Sequence, residues 1–306
     1  MQNTLRRPFS IIGKTLHEGL TVNLRVLPAR ANHGIWFSRT DVGDRNHLIP
    51  ALYNKVSETR LCTTIANSDG VSVQTIEHLM AAFAGTGIHN ALVELDGPEI
   101  PILDGSSVQF VQEILKAGFV ELGVPITGYE IQKEVTVRDG EAWAKLKPAT
   151  TLSIDFGIDY SDTIIGTQQL SLQMNNGSFV RELCDSRTFC REIDISKLLS
   201  QGFAKGGSLE NAIVLTKNNI RNTGGFRRQN ECVRHKMLDA MGDLSLAGGP
   251  IFGAFSANRG GHTLTNQLLR LAFSKKGAIK PKIVKKSEAI ELPGFDLCET
   301  DLSCLH

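Results

Sequence analysis

Two distant segments of this chain share one pattern. His78-Leu79-Met80 leads to Gly85, and His235-Lys236-Met237 leads to Gly242, so each carries Met two and Gly seven positions after a His. Each lies in a stretch with helical periodicity, and an apolar strand follows each one. The match is short, and it leaves coincidence and a duplicated α+β unit both open. Duplication would bring two imidazoles from equivalent helices to one interface, a usual place for a site.

The flanking pattern suits either reading. Val22, Leu24 and Val26 alternate with polar neighbours, as on a half-buried strand. An Asp69-Gly70 turn separates LCTTIA from VSVQ as in a hairpin. A helix runs from near Thr75 through EHLMAAFAG, with Gly85 and Gly87 to end it, and NALVELDG follows as a strand. Ser106 or Ser107 caps a helix with Val108, Val111 and Leu115 on one face, ended by Gly118. Residues 121–128, with a proline and two glycines, read as a linker between units 1–127 and 128–306. Beyond it lie a hairpin about Asp139-Gly140 and a strand with Leu152, Ile154, Phe156 and Ile158 on one face. Helices are expected near 178–186, 192–201, 230–247 and 262–274, with strands at NAIVL and IFGAFSA. The six lysines of 274–286 read as a flexible solvated tail, with attraction to anionic lipid as the lesser alternative.

Composition excludes several classes. A chain of 306 residues with 41% hydrophobic and 21% charged residues can bury a large core, which excludes disorder. A net charge of +1 gives no electrostatic argument for nucleic acid. No apolar run approaches the roughly 18 residues that span a bilayer, and the N-terminus lacks the apolar core of a signal peptide. Cys62, Cys184, Cys190, Cys232, Cys298 and Cys304 form no CxxC pair, which fits free thiols in the reducing cytoplasm.

His235 and Asp239 stand four apart on an expected helix, so both project from one face. With His78 they offer two nitrogens and one oxygen, a set suited to zinc with one position open. The bland alternatives are a surface His–Asp pair and a capped, partly buried His78. Glu77, beside one ligand, is placed to take a proton from water acidified by such a metal. His262 follows Gly260-Gly261 at a helix start, where the helix dipole lowers an imidazole pKa unless a carboxylate such as Asp243 offsets it. A simple helix-start His is the alternative. His17, His33, His47, His89 and His306 show no partner and read as structural or solvated. Asp96, Glu99 and Asp104 in DGPEIPILDG read as a tight turn in preference to a carboxylate cluster. Arg227 and Arg228 read as solvated.

At TIEHLMAAFAG, GPEIPILDGSS, RTF, VRHKMLDAMGDL and GGH the sequence resembles the UDP-3-O-acyl-N-acetylglucosamine deacetylases, zinc amidases of lipid A biosynthesis. The resemblance runs from LHEGL to GHTLTNQLL. It implies an α+β fold of two similar domains, each a sheet with helices, packed helices-inward with the site between them. It implies one zinc per chain on His78, His235 and Asp239, Glu77 as general base and His262 as general acid or charge stabiliser. It also implies Thr188 on the oxyanion, Lys236 on the substrate and Asp243 supporting His262. Phe189, Tyr160, Arg259, Ile195, Gly207 and Cys62 are the implied substrate-binding residues. The implied substrate is an acylated UDP-sugar. A cytoplasmic monomer with at most peripheral membrane contact and no nucleic-acid partner is expected.

Three departures stand out. The usual glycine-rich opening reads GKTLHEG. Cys190, Arg191 and Glu192 follow RTF where apolar residues are common, at the lip of the acyl passage for which Ile193, Ile195 and Leu198 are a candidate wall. Ala142 stands where some relatives carry a nucleotide-binding Lys, leaving Arg259 as the diphosphate contact. The rivals are another metal hydrolase, such as a phosphoesterase, and an inactive homologue that binds nucleotide sugar or acyl chains. Glu77 and His262 together argue against the second, because a binding module needs neither.

Overall fold

The computed structural model describes residues 1–298, 300 and 301; His306 and Cys304 lie outside the described residues. The described residues form a mixed α/β fold with seven helices: α1 (Glu77–Thr86), α2 (Val108–Ala117), α3 (Ser178–Glu182), α4 (Glu192–Ser200), α5 (Glu231–Ser245), α6 (His262–Ser274) and α7 (Lys286–Ala289).

Two sheets carry the helices. The first has five strands, in the order Phe9–Lys14, Thr21–Pro28, Ala91–Leu95, Ile35–Arg39 and Leu48–Pro50. The second has seven, built around Ile251–Asn258. Their pairing follows one scheme. The strand after α1, Ala91–Leu95, runs antiparallel to Thr21–Pro28 and parallel to Ile35–Arg39. The strand after α5, Ile251–Asn258, runs antiparallel to Ala142–Pro148 and parallel to Ser153–Tyr160. In both sheets the antiparallel neighbour is the second arm of a hairpin. The repeat in the sequence thus marks two helices that occupy equivalent places in similar units.

The local chemistry explains the elements. Val22, Leu24 and Val26 are buried and their neighbours exposed, as period-2 alternation requires. Gly87 closes α1 in the left-handed region at φ 73°, where a side chain would be strained. α1 is buried on nearly all sides, as a helix that is apolar all round must be. It packs on α5, with α2 on its flank and α6 against α5. Phe83, Phe110, Phe156, Phe179 and Phe255 are fully buried in the core that joins these layers. The two central helices approach closely because α5 carries Gly242 at the crossing. A Cβ there would lie 2.1 Å from the Glu77 carbonyl oxygen.

Several expectations are corrected. The lysine-rich stretch 274–286 is not a flexible tail. Ile279–Ile283 pairs antiparallel with Thr127–Ile131, Ala278 is buried, and the Lys282 ammonium lies 4.4 Å from the centre of the Phe252 ring. The lysines concealed a strand because alternate side chains of an edge strand face water. Strands also trim the 121–128 segment, since Phe119–Glu121 pairs with Asn3–Leu5 and Thr127 begins the next strand. Helix 178–186 is only Ser178–Glu182. Ser107 precedes α2 but does not cap it; its hydroxyl donates to the His78 carbonyl at 2.8 Å, while Ser106 Oγ accepts from Val108 N–H. Arg227 and Arg228 are not free in solvent: they pair with Asp104 and Asp185 at 2.8 and 2.7 Å.

The helix crossing gives the first prediction. In an unobstructed helix interior, Gly→Ala stabilises by roughly 0.5–1 kcal/mol. At position 242 the methyl meets the α1 backbone, so Gly242→Ala should instead destabilise by about 1–3 kcal/mol, the usual range for overpacking. Urea denaturation measures the difference, and a midpoint raised above wild type would contradict it.

Candidate active site

α1 and α5 bring the two repeat histidines together. The His78 and His235 rings meet edge to face, with centroids 4.9 Å apart. Asp239, one helical turn after His235, completes the group: its Oδ1 lies 3.5 Å from His78 Nε2 and 3.4 Å from His235 Nε2. The ligand-type atoms of all three lie within 4.8 Å of one another, and all three residues are buried.

The donor set fits a divalent cation. His235 Nδ1 donates to the Ser186 carbonyl at 3.0 Å, which leaves Nε2 without a proton and facing the group. Lys236 Nζ donates to Asp239 Oδ2 at 2.6 Å, leaving Oδ1 buried with no hydrogen-bond partner. An orphaned carboxylate oxygen between two imidazole nitrogens is the arrangement a small cation satisfies. Burial pushes the His235 imidazole down to about 4, into the neutral form that ligates. Burial also opposes the charge of Asp239, but His235, Lys236 and His78 hold its carboxyl well below the usual range.

A second group of titratable side chains adjoins the first. Glu77, at the first position of α1, and His262, at the first position of α6, face each other with Oε1 and Nε2 3.7 Å apart. Asp243, one turn beyond Asp239 on α5, accepts from His262 Nδ1 at 2.8 Å. Burial opposes the imidazolium, yet Asp243 and Glu77 overcome it and raise His262 to about 9. Burial raises the Glu77 carboxyl, with His262 and His78 acting against it.

Thr188 lies across the pocket, held through its backbone: its N–H donates to the Gly105 carbonyl and its carbonyl accepts from Ile213 N–H, both at 2.8 Å. Gly105 sits at φ 84°, and a Cβ there would lie 2.0 Å from the Asn211 carbonyl oxygen, so this approach requires glycine. The neighbouring Arg187 forks onto Glu231 at the start of α5, with contacts of 2.8 and 3.1 Å. The RTF segment is thereby tied to the helix that bears His235. Glu231 escaped the sequence reading, although its position at a helix start beside a basic cluster was a usable signal.

These residues surround a cavity of about 110 Å³ lined by Glu77, His78, Thr188, His235, Asp239 and His262, with Lys236, Tyr160 and Phe189 beside them. Phe189 packs edge to face on Tyr160 at 5.2 Å. His17 also lines it; it is 5% exposed, and its Nε2 has no partner. Reading it as partnerless in the sequence overlooked that its turn is folded inward by Glu99, which accepts His17 N–H and Glu18 N–H at 2.9 Å each. Glu99 itself is not in a turn: it is fully buried, bridges to Gln74 and braces the 15–19 turn from there.

The remaining expected contacts lie outside this cavity. Cys62 is buried with its sulfur toward Thr64, and burial pushes its thiol up to about 12. Gly207 borders Leu16, whose Cδ1 would lie 3.8 Å from a Cβ there. Ile195 is half-buried on α4, and Arg259 pairs with Glu141 and Asp159. Arg191 and Glu192 do not pair with each other: Arg191 meets Asp194 and Asp162 at 2.6 and 3.0 Å, and Glu192 meets Arg221 at 2.6 Å.

Residues 2–274 match the family model of LpxC, UDP-3-O-acyl N-acetylglycosamine deacetylase. The chain is 43% identical over 279 residues to the UDP-3-O-acyl-N-acetylglucosamine deacetylase of Haemophilus influenzae (strain 86-028NP), covering 90% of this chain and 91% of the relative. Its identity to the enzymes of that name from Shewanella violacea and Pasteurella multocida is 41% and 43%, with the same coverage. Identity of this extent, together with a family match over nearly the whole chain, places the protein in the UDP-3-O-acyl N-acetylglycosamine deacetylase family.

Proposed function

We propose that this chain hydrolyses the N-acetyl group of a UDP-3-O-(3-hydroxyacyl)-N-acetylglucosamine, releasing acetate and the free amine in lipid A biosynthesis. It does so as a cytoplasmic monomer of two units, 1–127 and 128–306, with one zinc on His78, His235 and Asp239. The observation that carries the reading is the meeting of two groups in one buried cavity, a His/His/Asp set with an orphaned oxygen and a Glu77–His262 pair held by Asp243. No helix among the described residues is long and apolar enough to cross a membrane.

A zinc ion held there supplies a Lewis acid, which acidifies water and polarises a carbonyl. The side chains supply the rest. Glu77 Oε1 faces the cavity and accepts the proton of the attacking water. The Thr188 hydroxyl, with no protein partner among the described residues, donates to the oxygen that becomes negative as the carbonyl carbon turns tetrahedral. His262 is protonated below about pH 9, and its Nε2 carries a proton toward the leaving nitrogen while Asp243 keeps Nδ1 occupied. The C–N bond breaks as that nitrogen is protonated. Phe189 and Tyr160 form an aromatic wall for the sugar. The outer face of α4, where Ile193 is 74% and Leu199 50% exposed, offers apolar surface to the acyl chain.

The direct test is acetate release from the acylated UDP-sugar by purified protein, with metal content measured on the same sample. About one zinc per chain and chelator-sensitive turnover are expected; full turnover without metal would refute the reading. Glu77→Ala should keep the metal and lose roughly 10²–10⁴-fold in kcat, whereas His78→Ala should lose the metal itself. Normal turnover per bound metal in Glu77→Ala would mean that base and ligand are exchanged.

The pH dependence has a defined sign. Asp243 raises the His262 pKa, so activity that needs the imidazolium is present below that pKa and lost above it. Asp243→Asn removes the negative charge, lowers the pKa and moves the alkaline limb of kcat/KM to lower pH. An unmoved limb would show that another group sets it.

A further inference from the structure

One buried residue outside the cavity touches both halves of the acid–base machinery. The Thr63 backbone N–H donates to Glu77 Oε2 at 3.0 Å, and its hydroxyl donates to Asp243 Oδ1 at 2.6 Å. Its carbonyl accepts from Ile76 N–H at 3.3 Å, immediately before Glu77. Thr63 is 1% exposed and does not line the cavity, so these three contacts account for its main-chain and hydroxyl groups.

The contacts sort the oxygens of two carboxylates. Glu77 has Oε2 occupied by Thr63 and Oε1 turned toward His262. Asp243 has Oδ1 occupied by Thr63 and Oδ2 on His262 Nδ1. A carboxylate held at one oxygen cannot rotate the other out of line without losing a charge-assisted hydrogen bond. The backbone around this contact supports a functional demand. Leu61 and Thr75 both sit in the left-handed region, at φ 67° and 57°, one two residues before Thr63 and the other two before Glu77. Non-glycine residues rarely adopt that region, and such strain persists where the surroundings over-determine it.

We propose that Thr63 is a positioning residue that aligns the base and the acid together, its N–H fixing Glu77 and its hydroxyl fixing Asp243 and, through it, His262. This rests on the deacetylase reading. The hydroxyl is the testable half, because the N–H survives any substitution except proline.

The charged and titratable groups facing His262 are Asp243 and Lys236 from α5, Glu77 from α1, Asp239 from α5 and His17 from the 15–20 turn. The Thr63 hydroxyl draws charge from Asp243, the nearest of them. Its removal leaves Asp243 a fuller charge against the imidazolium and shifts His262 titration to higher pH.

The experiment compares zinc-loaded wild type with Thr63→Ser, Thr63→Ala and the near-isosteric Thr63→Val. Serine and alanine at this position differ only in the hydroxyl, so their contrast holds even where Val disturbs the fold. Expected are unchanged metal content and KM, kcat lowered about 10–100-fold in Ala and Val, and recovery to within about threefold in Ser. The alkaline limb should lie at higher pH in Ala than in Ser. The His262 ring, followed by nitrogen NMR without substrate, should titrate in the same order. Equal kcat, limb and ring titration in Ser and Ala would overturn the proposal, as would loss of metal or fold to the same degree in both. A wild type that releases no acetate refutes the deacetylase reading, while the NMR contrast still decides what the hydroxyl does to His262.

Discussion

Removing so many titratable side chains from water at one place is tolerated only when those that carry charge are answered by close partners, and that requirement governs this structure. Glu77, His78, His235, Asp239, Asp243 and His262 are all buried where α1, α5 and α6 meet. An unpaired ion in such a setting costs several kcal/mol. Lys236 answers Asp239, His262 answers Asp243 and Glu77, and Thr63 answers both of the latter. Asp239 Oδ1 is the exception, orphaned between two imidazoles. The same close packing that builds the network depends on Gly242, since a larger residue would force α5 away from the α1 backbone.

The parts legible in the sequence are those encoded by periodic or adjacent residues. The i, i+4 spacing of His235 and Asp239, and of Asp239 and Asp243, declares a shared helix face, and the short repeat correctly pairs His78 with His235. Contacts made by residues remote in sequence and neutral in pattern were not legible. Thr63 is an ordinary threonine in LCTTIA until the fold sets it 2.6 Å from Asp243. His17 lacks a partner in sequence because its neighbours are remote: the Phe203 ring meets it edge-on at 5.5 Å, Ala204 N–H donates to its Nδ1 at 3.4 Å, and Glu99 accepts its backbone N–H. Lysine content misled the reading of 274–286, where pairing with Thr127–Ile131 outweighs the solubility of alternate side chains.

The two halves are also joined away from the helices, and that joint gives the GKTLHEG departure a place. The turn at 15–19 is held by Glu99 and by the loop after α4. Gly206 N–H donates to the Leu16 carbonyl at 2.9 Å, and Lys205 pairs with Glu18 at 3.3 Å. A Cβ at Gly206 would lie 2.0 Å from the Thr15 carbonyl oxygen, so the loop can seat only as glycine. Glu18 therefore does not disrupt the turn; it adds an exposed ion pair with Lys205, worth little in stability.

The same logic separates chemistry from recognition in this fold. The groups proposed to move protons sit on helix termini and faces whose backbone is fixed by packing, where small displacements are resisted. The groups proposed to border the substrate sit on Phe189, α4 and the loops beyond it. There Arg191 and Glu192 would be costly inside an apolar passage. Each instead turns to a local partner: Asp194 and Asp162 for the arginine, Arg221 for the glutamate. Their charges are answered by these partners, and the exposed side chains of Ile193 and Leu199 are left as apolar surface on α4. Charge at the start of α4 is thus compatible with apolar surface farther along the helix, because each ionised side chain meets a partner of its own.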